Sequence, residues 1–220
     1  MLEYTENEVC LHRFYKDKSL EKSFEKDNTY LKSAFEEIKK LWMANIAKMA
    51  QVKYLLIAEA PLWGNEKKYI YNPRTNNSQF FYRSDLGDIL DRRLSNKQEF
   101  LDCCIEIGLS IVDISPFALS QAHTKINYRN MPVNDYRRLV GETVPFYFER
   151  KIQMAGDKAS GNIQCFFRYS KVKNTFNDII GNVLLKNKLI TSLNRIGDIA
   201  QNGGGIDKRK LSRFIINGNL

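Results

Sequence analysis

The stretch YLLIAEAPLWG, Tyr54 to Gly64, decides the fold. Leu55, Leu56 and Ile57 form a short apolar run that ends in an acid, Glu59, and a turn-forming proline, Pro61. A continuous apolar run bounded by a turn signal reads as a buried strand. The acid falls where that strand gives way to a loop. In open parallel sheets this carboxyl edge is where ligands bind. Glu59 is therefore either a solvated residue at an ordinary strand-to-turn junction or a functional carboxylate.

Upstream, Leu31, Phe35, Ile38, Trp42, Ile46 and Met49 follow three- and four-residue steps with Lys and Glu between them, the stripe of an amphipathic helix from Thr29. Residues 1–28 carry no pattern that assigns them. Downstream comes a polar loop, Asn65 to Ser78, then an aromatic cluster, Phe80, Phe81 and Tyr82. Ser84 caps a helix with Ile89, Leu90 and Leu94 on its apolar side, and a second helix, Phe100 to Ile107, stops at Gly108. The second strand is Ser110 to Ile114. A helical region from Tyr136 to Ile152 is interrupted at Pro145, and the third strand is Ile163 to Arg168. A helix with the face Phe176, Ile179, Ile180, Val183 and Leu184 leads to a fourth strand, Leu189 to Leu193. After the loop Gln201 to Gly205 the chain closes with a basic helix.

Strands that alternate with helices imply a parallel sheet with helices on both faces. The predicted fold class is α/β, a three-layer αβα sandwich around a central parallel sheet of about four strands. One domain is expected over 1–220, with 1–50 as an N-terminal helical extension. On this topology Glu59, Asp113 and Asn194 converge at one sheet edge.

A chain of 220 residues holds one core of normal size, and 43% apolar with 27% charged residues excludes a disordered chain. No cleavable signal pattern or bilayer-length apolar run is present, so an intracellular, cytoplasmic, soluble protein without membrane contact is expected. Cys10, Cys103, Cys104 and Cys165 lack C-x-x-C spacing and read as small buried hydrophobes. Neither disulfides, nor a metal, nor a cofactor is expected. Of the net charge of +9, the last third holds +8, with 12 Lys and Arg against 4 Asp and Glu. That excess is either a solvated basic face or an electrostatic footprint for a phosphate backbone.

Ala58-Glu59-Ala60-Pro61 resembles the first motif of the uracil-DNA glycosylase superfamily, in the branch that begins glycine-glutamate-alanine-proline-glycine. Family members follow it with a loop, an aromatic that stacks on the extruded base, and a helix opening with a glycine and two leucines. Tyr82 and Gly87-Asp88-Ile89-Leu90 fit that order. Their second strand ends in a base-reading asparagine, where SIVDISPF puts Asp113, and Asn127 to Pro132 is similar to their asparagine-arginine-x-proline stretch. Their last motif is a strand followed by histidine-proline-serine, where ITSLNRIG puts Asn194 and Arg195. The resemblance covers Tyr54 to the C-terminus and implies a single glycosylase-like domain acting on DNA.

On that resemblance Glu59 positions water or stabilises the sugar cation, and Tyr82 or Phe81 stacks on the base, an interaction of about 1–3 kcal/mol. Asp113, an acceptor when ionised, suits an exocyclic amine and disfavours uracil, so weak or absent uracil excision is expected. Asn194 donates to a base oxygen without the charge of a histidine; His123 is the alternative to it. The glycine loop Gly203, Gly204 and Gly205 lets the backbone approach a phosphate, and Lys208, Arg209, Lys210 and Arg213 attract one. Three function classes stay open: a DNA glycosylase-like hydrolase, a non-catalytic nucleic-acid-binding module, and a small-molecule α/β hydrolase. No G-x-S-x-G, P-loop or G-x-G-x-x-G is present for nucleophile or nucleotide chemistry of other kinds.

Overall fold

The computed structural model describes residues 2–75, 83–202 and 204–216. Two helices, α1 (Thr5–Asp17) and α2 (Glu21–Lys48), precede the first strand, β1 (Val52–Ala58). Helices α3 (Arg83–Leu90) and α4 (Lys97–Ile107) lead to β2 (Leu109–Asp113). Then come α5 (Val133–Thr143), α6 (Phe148–Gly156), β3 (Ala159–Phe167), α7 (Ser170–Lys186), β4 (Ile196–Asp198) and α8 (Lys208–Ile215). The sheet has four strands in the order β2-β1-β3-β4, and every pairing is parallel. The expected α/β architecture is present.

β1 is central because its apolar run is buried from both sides. Leu55, Leu56 and Ile57 are 0% exposed, and each such side chain stabilises the fold by roughly 1.5–3 kcal/mol. Phe166 of β3 carries the stacked ring of Phe214 from α8 at 4.7 Å. Ile196 of β4 pairs with Cys165, one residue earlier, and so faces the other way, against Gly181 of α7. Helices α8 and α7 thus cover opposite faces, which makes three layers.

The stripe read from Leu31 to Ile46 lies on α2 and is buried along its length. Its Trp42 donates from Nε1 to the Ile111 carbonyl at 3.1 Å, while the Ile111 amide donates to the Tyr71 hydroxyl at 2.7 Å. Strand β2 is a sheet edge, and these side chains satisfy backbone groups that would otherwise invite pairing with another chain. Residues 5–17 and 21–28, unassigned by pattern, are helical, and α1 and α2 share the core with the sheet. Pro145 lies between α5 and α6, where the interruption was expected.

Gly108 ends α4 in the left-handed region at φ +76°, and a Cβ there would meet the Gln51 carbonyl oxygen at 2.7 Å. Gly108→Ala is expected to destabilise the protein by about 1 kcal/mol or more. The test is urea unfolding: the midpoint should fall with the slope unchanged. An unmoved midpoint would show that β1 and its approach are softer than this packing implies.

The fourth strand corrects the sequence reading. Leu189 and Ile190 are buried, but they plug the end of α7, where the Leu189 amide donates to the Leu184 carbonyl at 3.0 Å. The strand begins only at Ile196, after a 3-10 turn over Leu193–Arg195. Among the described residues, no helix is long and apolar enough to cross a membrane.

Candidate functional site

The chain leaves β1 towards β2 on one side and returns to β3 on the other. The loops after β1 and β3 therefore part company at the carboxyl edge, the switch point where open α/β sheets bind ligands. A cavity of about 570 Å³ opens there, within the range of roughly 300–1,000 Å³ usual for small-ligand sites. Glu59, Trp63 and Lys68 line it from the β1 side, Tyr169 and Lys171 from the β3 side, and Tyr128 from the segment after β2.

The β1 loop is tied down at both ends. The Glu59 carbonyl accepts from the Ser115 amide at 3.1 Å, and the Gly64 amide donates to the Tyr30 hydroxyl at 3.1 Å. Tyr128 donates its hydroxyl to the Phe117 carbonyl and packs edge-on against Tyr136 at 5.0 Å. Burial pushes the Tyr128 and Tyr136 phenols up, with further upward contributions from the Glu59 charge, so both stay protonated. Burial likewise raises the Glu59 carboxyl above the ordinary glutamate value, and the Lys171 ammonium draws it partly back. Among the described residues no donor hydrogen-bonds the Glu59 carboxylate. The arrangement offers an unclaimed carboxylate beside three aromatic side chains, with two cations on the wall.

Asp113 is not part of that cavity. It pairs in register with Ala58, the last residue of β1, whereas Glu59 lies one residue beyond the strand and lines the cavity. The Asp113 carboxylate accepts from the Tyr69 hydroxyl at 3.0 Å and lies 3.5 Å from the Lys151 ammonium, all three side chains being buried. Burial pushes Asp113 up and Lys151 down, to about 8, while each charge favours ionisation of the other. In this conformation Asp113 Oδ2 is engaged by Tyr69 and Lys151, away from the cavity that Glu59 lines.

Asn194 is a plain correction. It sits in the 3-10 turn before β4, exposed at the amino end of that strand, and so at the sheet edge opposite Glu59. The three-way convergence fails because the fourth strand starts later than its sequence pattern implied. His123, the alternative to Asn194, is not among the residues that line the cavity; its ring stacks on Tyr30 at 4.5 Å. Phe81, Tyr82 and Gly203 lie outside the described residues.

The basic cluster is partly committed to the fold. Lys208 pairs with Asp88 of α3, and Lys210 donates to Asp198 at 2.9 Å and to the Ala200 carbonyl at 3.0 Å. Asp207 caps α8, accepting from the Arg209 and Lys210 amides, so the helix start already holds an anion. The Gly204 and Gly205 carbonyls accept from the buried Arg168 guanidinium at 3.1 and 3.2 Å. Arg209 and Arg213 are exposed. All four cysteines are free and buried, and no group of three His, Cys, Asp or Glu among the described residues is placed to hold a metal.

Tyr128, Trp63, Tyr169, Lys68 and Lys171 were not singled out in the sequence. One signal was available for two of them: Tyr169 and Lys171 follow the third strand at its carboxyl end, where the switch-point rule places ligand contacts. No protein-family model, curated protein or solved structure matches this chain.

Proposed function

We propose that this protein hydrolyses an N-glycosidic bond in a nucleoside-containing substrate, with Glu59 as the carboxylate that activates water. The observation that carries this reading is the Glu59 carboxylate itself: raised by burial, without a hydrogen-bond donor among the described residues, at the wall of an aromatic cavity of ligand size. The resemblance of Ala58-Glu59-Ala60-Pro61 to the glycosylase first motif supports the same assignment. In the reaction the water oxygen bonds to C1′ as the C1′–N bond breaks, and the electron pair leaves with the base. Glu59 takes the proton lost by water, and the departing base regains a proton from solvent. Trp63, Tyr128 and Tyr169 provide faces for the base, each stack contributing about 1–3 kcal/mol. For a base in DNA, stacking also has to offset the few kcal/mol lost on extrusion.

The test is base release, followed by chromatography, from free nucleosides and from single-stranded and duplex oligonucleotides with uracil, hypoxanthine, alkylated or unmodified bases. Release from at least one class is expected. Uracil excision should be weak, since Asp113 and Asn194 replace the base-reading asparagine and the histidine of the family that the chain resembles. Binding without release from any substrate would overturn the hydrolase and leave a binding module on the same fold.

A further inference from the structure

We infer that the ligand of this cavity is a nucleoside 5′-monophosphate, whose phosphate is held at the mouth by Lys171 and Lys68. The inference rests on the nucleoside reading of the site and adds the group that would distinguish its substrate. Among the described residues, Glu59 is the one acid in the cavity lining, against these two lysines. Lys171 is exposed and makes no ion pair among the described residues; Lys68 is held by Glu66, whose own side chain is 71% exposed. A solvent-exposed pair of that kind is weak and can be exchanged for a ligand anion. The wall thus carries one more positive charge than negative, while the interior beside it is aromatic and apolar. A phosphate monoester, with about −1.5 to −2 charges at neutral pH, complements such a wall through charge-assisted hydrogen bonds.

A second observation separates one phosphate from a polymer. Two of the basic features expected to follow a nucleic-acid backbone serve the fold instead: Lys210 donates to Asp198 and the Ala200 carbonyl, and the start of α8 is capped by Asp207. The Gly204 amide, the kind of donor a phosphate would need, is given to the Gln201 carbonyl at 3.1 Å. That leaves Arg209 and Arg213, which carry no ion pair among the described residues, and Lys208 in an exposed pair with Asp88, a short positive patch on one helix. Two lysines in the lining of one cavity suit one anion beside one base better than a long backbone.

The test is calorimetric titration of the wild-type chain and of Lys171→Gln and Lys68→Gln with cytidine, adenosine, their 5′-monophosphates, inorganic phosphate and a single-stranded oligonucleotide. At least one monophosphate should bind about tenfold or more tightly than its nucleoside, the effect of a charge-assisted hydrogen bond. Lys171→Gln should remove most of that ratio, with a cooperative urea transition of unchanged slope as the control for folding. Equal affinity for nucleoside and monophosphate, or a ratio untouched by both substitutions, would overturn the inference. So would inorganic phosphate binding as well as the nucleotide, tighter binding of the oligonucleotide, or no binding of any probe. The two readings fail separately. Phosphate-dependent binding without base release removes the reaction and keeps this inference, whereas equal turnover of nucleosides and nucleotides does the reverse.

Discussion

Glu59→Gln is expected to slow base release by about 10²–10⁴-fold, the usual contribution of a positioned general base, while making the folded protein more stable at neutral pH. Both effects follow from one environment. The carboxyl is raised by burial, so the folded protein holds its proton more tightly than the unfolded chain, where a glutamate titrates near about 4.3. As pH rises from there through the folded value, ionisation costs the native state more than the unfolded one, and stability falls. Above that window the penalty is constant; below it the penalty is absent. The amide introduced by Glu59→Gln has nothing to ionise, so the variant should gain stability at pH 7 and lose that advantage by about pH 4. Urea unfolding at several pH values measures this directly. Activity should run the opposite way, rising with pH on an acidic limb set above the ordinary carboxylate range. Lys171→Gln should move that limb still higher, because Lys171 is the group that draws Glu59 down. An active Glu59→Gln enzyme with the same acidic limb would remove Glu59 from the chemistry.

The legible parts of the fold were those with a local signal. Leu55 to Ile57 formed a continuous apolar run closed by a proline, and the α2 stripe kept its period from Leu31 to Ile46. Gly108 marked a helix end because only a residue without a side chain tolerates its φ and its approach to Gln51. The fourth strand failed because it is only Ile196–Asp198, while Leu189 and Ile190 just before it are as apolar as a strand and serve to close α7. A three-residue strand is too short to show a period. That error displaced Asn194 by the full height of the sheet. Glu59 was found from its place at the end of a strand, but its surroundings come from Tyr128, Tyr169 and Lys171, far apart in the chain. Long-range charge compensation was equally hidden: nothing local to Asp113 announces Lys151, and nothing local to Lys208 announces Asp88. A sequence places charges along the chain, while their partners are set by how the layers meet.

Removing one member of the buried Asp113–Lys151 pair should be among the most destabilising changes available in this chain. The Lys151 ammonium donates to the Tyr147 hydroxyl at 2.6 Å and lies against the Trp42 and Tyr147 rings, at 5.0 and 4.2 Å from their centroids. Its side chain is 0% exposed and that of Asp113 is 3% exposed. Both charges are shielded from water by the surrounding core. Breaking such a pair costs about 3–5 kcal/mol, a large part of a typical total of roughly 5–15 kcal/mol. Asp113→Asn and Lys151→Met should each show this loss in urea unfolding. The combination Asp113→Leu, Lys151→Met and Tyr69→Phe removes both charges and the hydroxyl that serves them, and should recover most of it. The same variants decide what Asp113 is for. A structural ion predicts that Asp113→Asn lowers stability and leaves the ratio of activities among different bases unchanged. A base-reading acid predicts the reverse: near-normal stability with a switched preference, because an amide presents a donor where the carboxylate presents none. A switched ratio in a stable Asp113→Asn protein would return Asp113 to the substrate, with Tyr69 displaced from it when the ligand binds.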